Sequence, residues 1–267
     1  MLNISIVIYT LENSVLSKTI QSIVNSSRNL PSHLCIEKIY LIDNGNNKKE
    51  LSNLIKKFTY SSLTIEYCST GKNLGYGKAH NIAIEDYSTK YHLILNPDVE
   101  ISQTSLYKGL VYLENNEEVV AVAPSAVDGE NNVQYLAKSY PSLLVLLVRA
   151  LDLKYLNEVF IQQLEKYELR QVVRNKKTKE VQIISGCFML CKTSALKNIG
   201  GFDSRYFLYF EDFSLSIELH KIGKIMYLPD MEIIHVGGNS SRKGIKHICM
   251  FILSMIKFFN RYGWKIF

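Results

Sequence analysis

The first hundred residues alternate short apolar strands with amphipathic helices, and this alternation constrains the fold more than any other feature of the chain. Residues 4–9 form a β-branched run, and residues 14–24 carry apolar side chains at helical spacing. Further strand patterns follow at residues 36–42, 63–68 and 91–95. Strands that alternate with helices form βαβ units, so we predict an α/β fold with a single, mainly parallel, Rossmann-like sheet flanked by helices.

The remainder of the chain is less regular. Residues 128–132 (Asp-Gly-Glu-Asn-Asn) indicate a hairpin turn, residues 142–155 an apolar helix, and the polar, basic residues 166–179 a loop. Toward the C-terminus the composition becomes basic and apolar. We therefore predict one α/β domain over residues 1–238, followed by a basic amphipathic helical segment over residues 239–267.

Composition argues against several classes of protein. The 31 Lys and Arg residues exceed the 25 Asp and Glu residues only mildly, which suits phosphates or an anionic membrane face but not nucleic-acid binding. The five cysteines include no Cys-x-x-Cys pair, so we expect reduced thiols rather than a zinc site. The chain begins without the basic region of a signal peptide, and it lacks a membrane-spanning run of about 18–20 apolar residues. We expect a cytoplasmic protein.

Two polar sites follow predicted strands and are candidates for ligand binding, because parallel sheets bind ligands beyond the carboxyl ends of their strands. In Asn96-Pro97-Asp98, the Asp98 carboxylate can hold a divalent cation that neutralises a diphosphate, or it can lie in a turn and cap the next helix. Asp43 begins an Asp-Asn-Gly turn, and it can either accept hydrogen bonds from a base or ribose or form an Asx-turn. The residues alone leave both alternatives open.

A loop rich in glycine and asparagine follows the third predicted strand. Its glycines would let the backbone of residues 71–77 approach a nucleotide, with amides supplied by Asn73 and Asn81. The loop is neither a P-loop nor a dinucleotide fingerprint, so it is weak by itself.

Three further residues carry potential chemistry. Glu211 and Asp212 follow an aromatic segment at the start of a predicted helix. They can stabilise the helix N-terminus, or one of them can deprotonate a hydroxyl in a pocket walled by the aromatic side chains. His235 follows a short strand and precedes glycines, so it is either a metal ligand or a structural histidine.

In their order along the chain, these residues resemble the family 2 glycosyltransferases with the GT-A fold. The likeness is greatest to the bacterial rhamnosyltransferase-like group that builds O-antigen, a part of lipopolysaccharide, and related polysaccharides. The matching motifs are residues 6–10, 42–45, 73–77 with Asn81, 95–98, 184–190, 200–203, 209–212 and 234–235.

The resemblance implies a role for each candidate residue. Asp212 would be the general base that activates the acceptor hydroxyl, with Glu211 beside it. Asp98 would hold the metal, Mg²⁺ or Mn²⁺, with His235 as a candidate second ligand. The sugar would be transferred with inversion in a single displacement. The residues implied in nucleotide-sugar binding are Thr10, Asp43, Asn44, Asn73, Gly75, Asn81 and Asn96.

The chain departs from the family pattern at one position. The family's usual motif has two aspartates that flank one residue, and Asn96 replaces the first of them. Asparagine brings no charge, so we expect weaker metal binding and a less strict dependence on metal. The rhamnosyltransferase-like group commonly carries this same Asn-Pro-Asp form.

The resemblance also implies the substrates. The best donor is dTDP-L-rhamnose, with UDP-galactose, UDP-N-acetylglucosamine or a GDP sugar as alternatives, and the acceptor is a glycan on a polyprenyl diphosphate lipid. The tail, which includes Arg242, Lys243 and Lys246, predicts peripheral contact with the inner face of the cytoplasmic membrane, or else a helix packed on the domain. A catalytically silent assembly protein at the membrane surface is the alternative from a different class.

Overall fold

The computed structural model describes residues 1–61, 63–237 and 244–267. Its first part follows the predicted alternation of strands and helices. In the first helix the buried Leu16, Ile20 and Ile23 recur at helical spacing and mark the face that packs on the sheet. The elements of this part are β1 (Leu2–Ile8), α1 (Asn13–Ser27), β2 (Ile36–Asp43), α2 (Lys48–Lys57), β3 (Thr64–Ser69), α3 (Tyr76–Ile84) and β4 (Tyr91–Leu95).

The second part is more helical than predicted. The loop predicted for residues 166–179 was wrong in part, because these residues contain the end of one short helix and the whole of the next. The remaining elements are β5 (Val99–Ile101), α4 (Ser105–Asn115), β6 (Val119–Val127), β7 (Val133–Gln134), β8 (Ala137–Lys138), α5 (Leu143–Leu151), α6 (Lys154–Val159), α7 (Ile161–Tyr167), α8 (Arg170–Arg174), β9 (Lys179–Glu180), β10 (Ile183–Ile184), β11 (Phe188–Lys192), α9 (Thr193–Ile199), α10 (Glu211–His220), β12 (Lys224–His235) and α11 (Gly244–Tyr262).

The larger sheet has ten strands, counted over the described residues, and falls into two halves. Strands β1 to β4 pair in parallel, as predicted, and the structure places them in the order β3-β2-β1-β4. Strand β11 runs antiparallel between β4 and β6, and β12 pairs in parallel with β6. Strand β5 follows β4 closely in sequence but pairs with the end of β12, where Val99 lies opposite His235. The curled sheet therefore brings the end of β4 to the end of β12.

The sheet forms the middle layer of the molecule. Strands β1 and β4 are buried along their whole length, as is typical of parallel strands that are covered on both faces. On one face, Ile4, Ile6 and Leu95 pack with apolar residues of α1, α2 and α4. On the other face, Ile94 and Met189 pack with residues of α3, α9 and α10.

The C-terminal helix α11 packs on the domain through one of its faces. Its Phe258 and Phe259 are fully buried in a cluster with Leu146, Tyr206 and Phe210. This packing was one of the two alternatives left open for the tail. The predicted boundary between residues 238 and 239, and the basic residues Arg242 and Lys243, lie outside the described residues. Among the helices described, none has both the length and the apolar character needed to cross a membrane.

Candidate active site

The polar residues that follow the parallel strands meet at one edge of the sheet. Thr10 lies two residues beyond β1, Asp43 is the last residue of β2, and Asn96 follows the last residue of β4. These strands are neighbours in the order β2-β1-β4. Thr10 is exposed, Asn96 is half-buried and Asp43 is buried. The carboxyl edge of the sheet is therefore the candidate site.

Asp43 shapes a turn at this edge. Its Oδ1 accepts a hydrogen bond from the N–H of Gly45 (3.1 Å), and its Oδ2 accepts one from the N–H of Asn47 (2.8 Å). The Tyr67 hydroxyl donates a further hydrogen bond to Oδ2 at 3.0 Å. This is the Asx-turn that the sequence left open. Contact of the Asp43 carboxylate with a base or ribose stays a prediction.

Asn44 holds the glycine-rich loop in place. Its Nδ2 donates to Oδ1 of Asn73 and to the carbonyl of Gly75, both at 3.0 Å, and its Oδ1 accepts from the N–H of Leu74 at 2.8 Å. Gly75 has a φ of 84°, and a Cβ there would lie 2.2 Å from the Phe207 carbonyl oxygen, so this position requires glycine. The loop is thus fixed by internal contacts, while the side chain of Asn73 is exposed.

The side chain of Asn81 is hydrogen-bonded to the backbone of a second loop, at Phe202. Its Nδ2 donates to the carbonyl of Phe202, and its Oδ1 accepts from the N–H of the same residue, both at 2.8 Å. Gly201 allows this approach, because a Cβ there would lie 2.6 Å from Oδ1 of Asn81. Both polar atoms of the Asn81 side chain are therefore engaged within the protein, and its contact with a nucleotide stays a prediction.

Asp98 and His235, the predicted metal ligands, lie side by side. The N–H of Val236 donates to the Asp98 carbonyl at 3.1 Å, and Nε2 of His235 is 3.6 Å from Oδ1 of Asp98. This Oδ1 is buried and has no hydrogen-bond partner among the described residues. Burial lowers the pKa of His235, although the Asp98 charge raises it, and the neutral imidazole is the form that binds metals.

The surroundings of this pair fit a divalent cation. Gly237 lies against Asp98, because a Cβ there would be 1.9 Å from Oδ2. Within the described part of the chain, no three His, Cys, Asp or Glu side chains are grouped to hold a metal ion. One carboxylate and one imidazole suit a cation that takes its other ligands from substrate phosphates and water, as Mg²⁺ commonly does. The observation that favours this fit is the buried Oδ1 of Asp98, for which the described part of the chain supplies no hydrogen-bond partner.

The acidic pair Glu211 and Asp212 opens α10 directly after two residues with unusual backbone. Tyr209 and Phe210 have φ angles of 69° and 63°, in the left-handed region that non-glycine residues rarely adopt and that is concentrated at functional sites. Phe210 is buried and packs on Phe258 of α11, with ring centroids 5.3 Å apart. The aromatic segment before the acids therefore packs against α11.

The two carboxylates have different surroundings. Asp212 accepts hydrogen bonds from the N–H groups of Gly186 (3.0 Å) and Phe213 (2.9 Å), whereas Oε2 of Glu211 is buried without a partner among the described residues. Burial raises the pKa of Glu211, and the Asp212 charge raises it further. Burial also raises the pKa of Asp212, but the Gly186 N–H and the Lys138 ammonium lower it. Asp212 is therefore the better stabilised anion, and Glu211 keeps its proton more readily.

Three residues at this site were missed in the sequence. The Tyr76 hydroxyl donates to the Gly186 carbonyl at 2.6 Å, which ties the glycine-rich loop to the segment beside Asp212. Lys138 places its Nζ 5.5 Å from the ring centroid of Phe213, and burial, followed by the Arg149 charge, lowers its pKa to about 8. Gln134 contacts His235. Of these three residues, only Tyr76 could have been found from the sequence, because it lies within the glycine-rich loop motif.

Solved glycosyltransferases share this fold. The crystal structure of GalNAc-T7 with UDP, GalNAc and Mn²⁺ has a TM-score of 0.68 and 13% identity, and the match covers 97% of this chain and 47% of that chain. The structure of S. aureus TarS 1-349 in complex with UDP-GlcNAc has a TM-score of 0.60 and 13% identity, and the match covers 97% of this chain and 66% of that chain. This chain thus spans about half the length of the first and just under two thirds of the second. The predicted GT-A fold is confirmed.

The family is shown by sequence. The family model described as Glycosyl transferase family 2 matches residues 5–200, so the chain belongs to this family and is a glycosyltransferase. The N-acetylglucosaminyl-diphospho-decaprenol L-rhamnosyltransferase of Mycobacterium tuberculosis is 27% identical over 215 residues, which cover 76% of this chain and 67% of the relative. Rhamnosyltransferase WbbL of Escherichia coli is 26% identical over 198 residues, which cover 71% of this chain and 70% of the relative. The predicted resemblance to rhamnosyltransferases is confirmed.

Proposed function

We propose that this glycosyltransferase transfers a single sugar, with inversion, from a nucleotide-sugar to a hydroxyl of a lipid-linked glycan in bacterial surface polysaccharide synthesis. The best donor is dTDP-L-rhamnose, since both named relatives are rhamnosyltransferases. One observation supports this reaction most: the consecutive residues Gly186 and Cys187 link the segment that carries Asp98 to the candidate base Asp212. The Cys187 carbonyl accepts from the N–H of Asn96, two residues before Asp98, and the N–H of Gly186 donates to Asp212.

Asp98 and His235 would hold the cation, Mg²⁺ or Mn²⁺. A cation held there would offset the negative charge on the departing nucleoside diphosphate. The Oδ1 of Asp98, which is buried and has no hydrogen-bond partner among the described residues, supports this role. The structural neighbour GalNAc-T7 was crystallised with Mn²⁺. Because Asn96 adds no charge, we expect the cation to bind more weakly than it would between two aspartates.

Asp212 would accept the proton of the acceptor hydroxyl. As that proton leaves, the hydroxyl oxygen forms a bond to the anomeric carbon, and the bond from this carbon to the diphosphate breaks on the opposite face. The N–H groups of Gly186 and Phe213 hold the Asp212 carboxylate in position, and Glu211 in its protonated form adds no second charge. A positioned base of this kind contributes about 10²–10⁴-fold to the rate.

The nucleotide would bind at the ends of β1 and β2. Thr10 and Asn73 carry exposed polar side chains at this edge and would contact the base, ribose or diphosphate directly. Asn73 would do so through its Nδ2, since its Oδ1 accepts from Asn44 and from the N–H of Gly75. Asp43, Asn44 and Gly75 would act by shaping the turn and the loop that present those groups, since their polar atoms are engaged in internal hydrogen bonds.

The lipid carrier of the acceptor would lie against the free face of α11. This face presents apolar side chains three or four residues apart, and the last residues of the chain continue it where the N–H of Leu143 donates to the Lys265 carbonyl at 2.8 Å. Exposed lysines flank the same region, a combination that suits an anionic lipid surface. The exposed apolar residues of this region include Ile245, Ile248, Ile252, Leu253, Ile256, Ile266 and Phe267, with Leu147 on α5.

Sedimentation with phosphatidylglycerol vesicles tests this surface. Ile252, which is 44% exposed, is replaced by Asp, and Ile82 on α3, which is 40% exposed, is replaced in the same way as a matched control. We expect Ile252→Asp to weaken vesicle binding and Ile82→Asp to leave it unchanged. Equal binding by wild type and Ile252→Asp would reject α11 as the lipid-facing helix.

Thermal unfolding with nucleoside diphosphates tests the donor. A ligand at one hundred times its Kd stabilises the folded state by about 2.7 kcal/mol, so we expect dTDP to raise the Tm, and to raise it further with Mn²⁺. Nucleoside diphosphate release from a donor panel then identifies the sugar, and a response to UDP or GDP donors alone would replace rhamnose. If no nucleotide raised the Tm, the proposed transfer would be rejected. Unchanged function of Asp212→Asn in the cell would favour the silent assembly protein.

A further inference from the structure

The hydrogen bonds of the Gln134 side chain are concentrated on the C-terminal end of β12. Its Nε2 donates to the carbonyl oxygens of His235 (2.9 Å) and Gly237 (3.3 Å). Its Oε1 lies 2.8 Å from Nδ1 of His235. One amide therefore contacts both the backbone and the ring of the candidate metal ligand.

A tight hairpin puts Gln134 in this position. The N–H groups of Glu130 and Asn132 donate to Oδ1 of Asp128, at 2.8 and 2.9 Å, and close the turn between β6 and β7. Gln134 then pairs with Ala126 of β6. Since β6 also pairs with β12 as far as Ile234, the hairpin and the end of β12 are parts of one sheet, and the position of the amide is fixed by main-chain pairing.

The two backbone contacts determine which way the amide is turned. Carbonyl oxygens only accept hydrogen bonds, so the group of Gln134 that faces them must be the NH₂ group. The amide oxygen of Gln134 therefore faces the imidazole, and this oxygen also only accepts. Nδ1 of His235 must accordingly carry the hydrogen, and in the neutral ring Nε2 then carries a lone pair.

That lone pair faces another acceptor. Nε2 of His235 lies 3.6 Å from Oδ1 of Asp98, which is too long for a hydrogen bond. In this tautomer neither atom has a hydrogen to donate to the other. A divalent cation with ligand distances of about 2.1 Å can bind both atoms at once.

We propose that Gln134 is a positioning residue, which fixes His235 in the Nδ1–H tautomer and so offers its Nε2 to a divalent cation shared with Asp98. The inference rests on the proposed function for the cation, but the tautomer follows from the protein's own contacts. Without Gln134, the ring can take the Nε2–H form, whose hydrogen would face Asp98 and occupy the place of the cation. Partners of this kind, which hold the second nitrogen of a metal-binding histidine, typically contribute 10–100-fold to metal affinity.

Mn²⁺ affinity, measured by isothermal titration on the full chain, is the first test. We expect Gln134→Ala to weaken Mn²⁺ binding by about 10–100-fold. Gln134→Glu keeps an acceptor for the Nδ1 hydrogen, so it should retain more affinity than the alanine variant. Val133→Ala is the matched control, because Val133 is the neighbouring residue of β7 and is 51% exposed. Equal affinity of Gln134→Ala and wild type would overturn the proposal.

The tautomer is read separately, without metal, from the ring-nitrogen NMR spectrum of ¹⁵N-histidine-labelled protein. The chain has six histidines, and His235→Gln identifies the signal of interest. We expect Nδ1–H in the wild type and a mixture of tautomers in Gln134→Ala. An Nε2–H form in the wild type, or no change in the variant, would overturn the role of Gln134. The expected spectra without any Mn²⁺ binding would support the tautomer assignment and overturn the cation of the proposed function.

Discussion

The unequal surroundings of Glu211 and Asp212 predict opposite results for two conservative substitutions. Asp212 accepts hydrogen bonds from two N–H groups and lies near the Lys138 ammonium. Glu211 is buried, and its Oε2 has no partner within the part of the chain that the structure describes. Glutamine has the shape of a protonated glutamic acid, so Glu211→Gln keeps the form that Glu211 is expected to hold. Asparagine cannot accept the acceptor's proton, so Asp212→Asn removes the base.

The sizes of the two effects follow from these contacts. Asp212→Asn should lower kcat by about 10²–10⁴-fold, which corresponds to about 2.7–5.5 kcal/mol in the barrier. It also leaves one acceptor where Asp212 had two, so the N–H of Gly186 or of Phe213 would meet an NH₂ group. An unsatisfied buried donor costs about 1–3 kcal/mol of stability. Glu211→Gln should change kcat by less than about tenfold, or 1.4 kcal/mol.

The assay is nucleoside diphosphate release at saturating donor and acceptor, measured across pH. Burial raises the pKa of Asp212 above its ordinary value, and activity requires its ionised form, so kcat should rise with pH through that pKa. This acid limb should persist in Glu211→Gln and vanish in Asp212→Asn. Thermal unfolding and donor affinity of each variant show whether a loss of kcat comes from a destabilised fold or from loss of the base. If Glu211→Gln lost as much kcat as a folded Asp212→Asn, the assignment of the base would be wrong.

Two further predictions concern the metal site and the core. Gly237→Ala should abolish Mn²⁺ binding in isothermal titration, because its Cβ would meet Oδ2 of Asp98. Gly129→Ala serves as the control, because a Cβ there would have no described atom within 4 Å. Retained Mn²⁺ binding by Gly237→Ala would show that the cation binds elsewhere. Burial lowers the pKa of His92 from 6.5 to about 4, so stability should be full above pH 6.5 and should fall by about 3 kcal/mol as the pH drops toward 4. Urea unfolding at several pH values measures this loss, which should shrink in His92→Gln; an unchanged loss would exclude His92 as its cause.

The parallel half of the sheet could be predicted because its information is local. Strands β1, β2 and β4 are mainly apolar runs, whereas β3 alternates polar and apolar residues. Helices separate the strands, and consecutive βαβ units permit few arrangements. The second half could not be predicted in this way. Strand β11 enters between β4 and β6, and β5 leaves its sequence neighbour β4 to pair with β12. Such pairings depend on contacts between distant segments, which periodicity along the chain does not record.

The sequence identified many of the residues of the candidate site, but it could not determine what each of them does. Carboxylates and amides at strand ends are suited both to bind a nucleotide and to fasten a turn, and the sequence cannot separate these uses. In the structure, Asp43, Asn44 and Asn81 fasten backbone. Lys138 and Gln134 carried no signal, because a single lysine or glutamine in a two-residue strand has no recognisable pattern. Their relevance arises only when folding brings them beside Asp212 and His235.

The C-terminal helix supports the backbone that precedes the candidate base. Left-handed backbone at Tyr209 and Phe210 costs of order 1–3 kcal/mol at each residue, and such a conformation persists only where packing holds it. Helix α11 supplies that packing: Ser254 donates to the Leu208 carbonyl at 2.8 Å, and the Tyr209 hydroxyl lies 2.9 Å from Nδ1 of His247. Burying a phenylalanine such as Phe210 contributes about 1.5–3 kcal/mol, which is comparable to the strain at one residue.

The face of α11 that is turned inward therefore holds the backbone that presents Glu211 and Asp212, while its outer face carries the exposed isoleucines. A change on the inner face should thus impair catalysis even where contact with a lipid surface is not required.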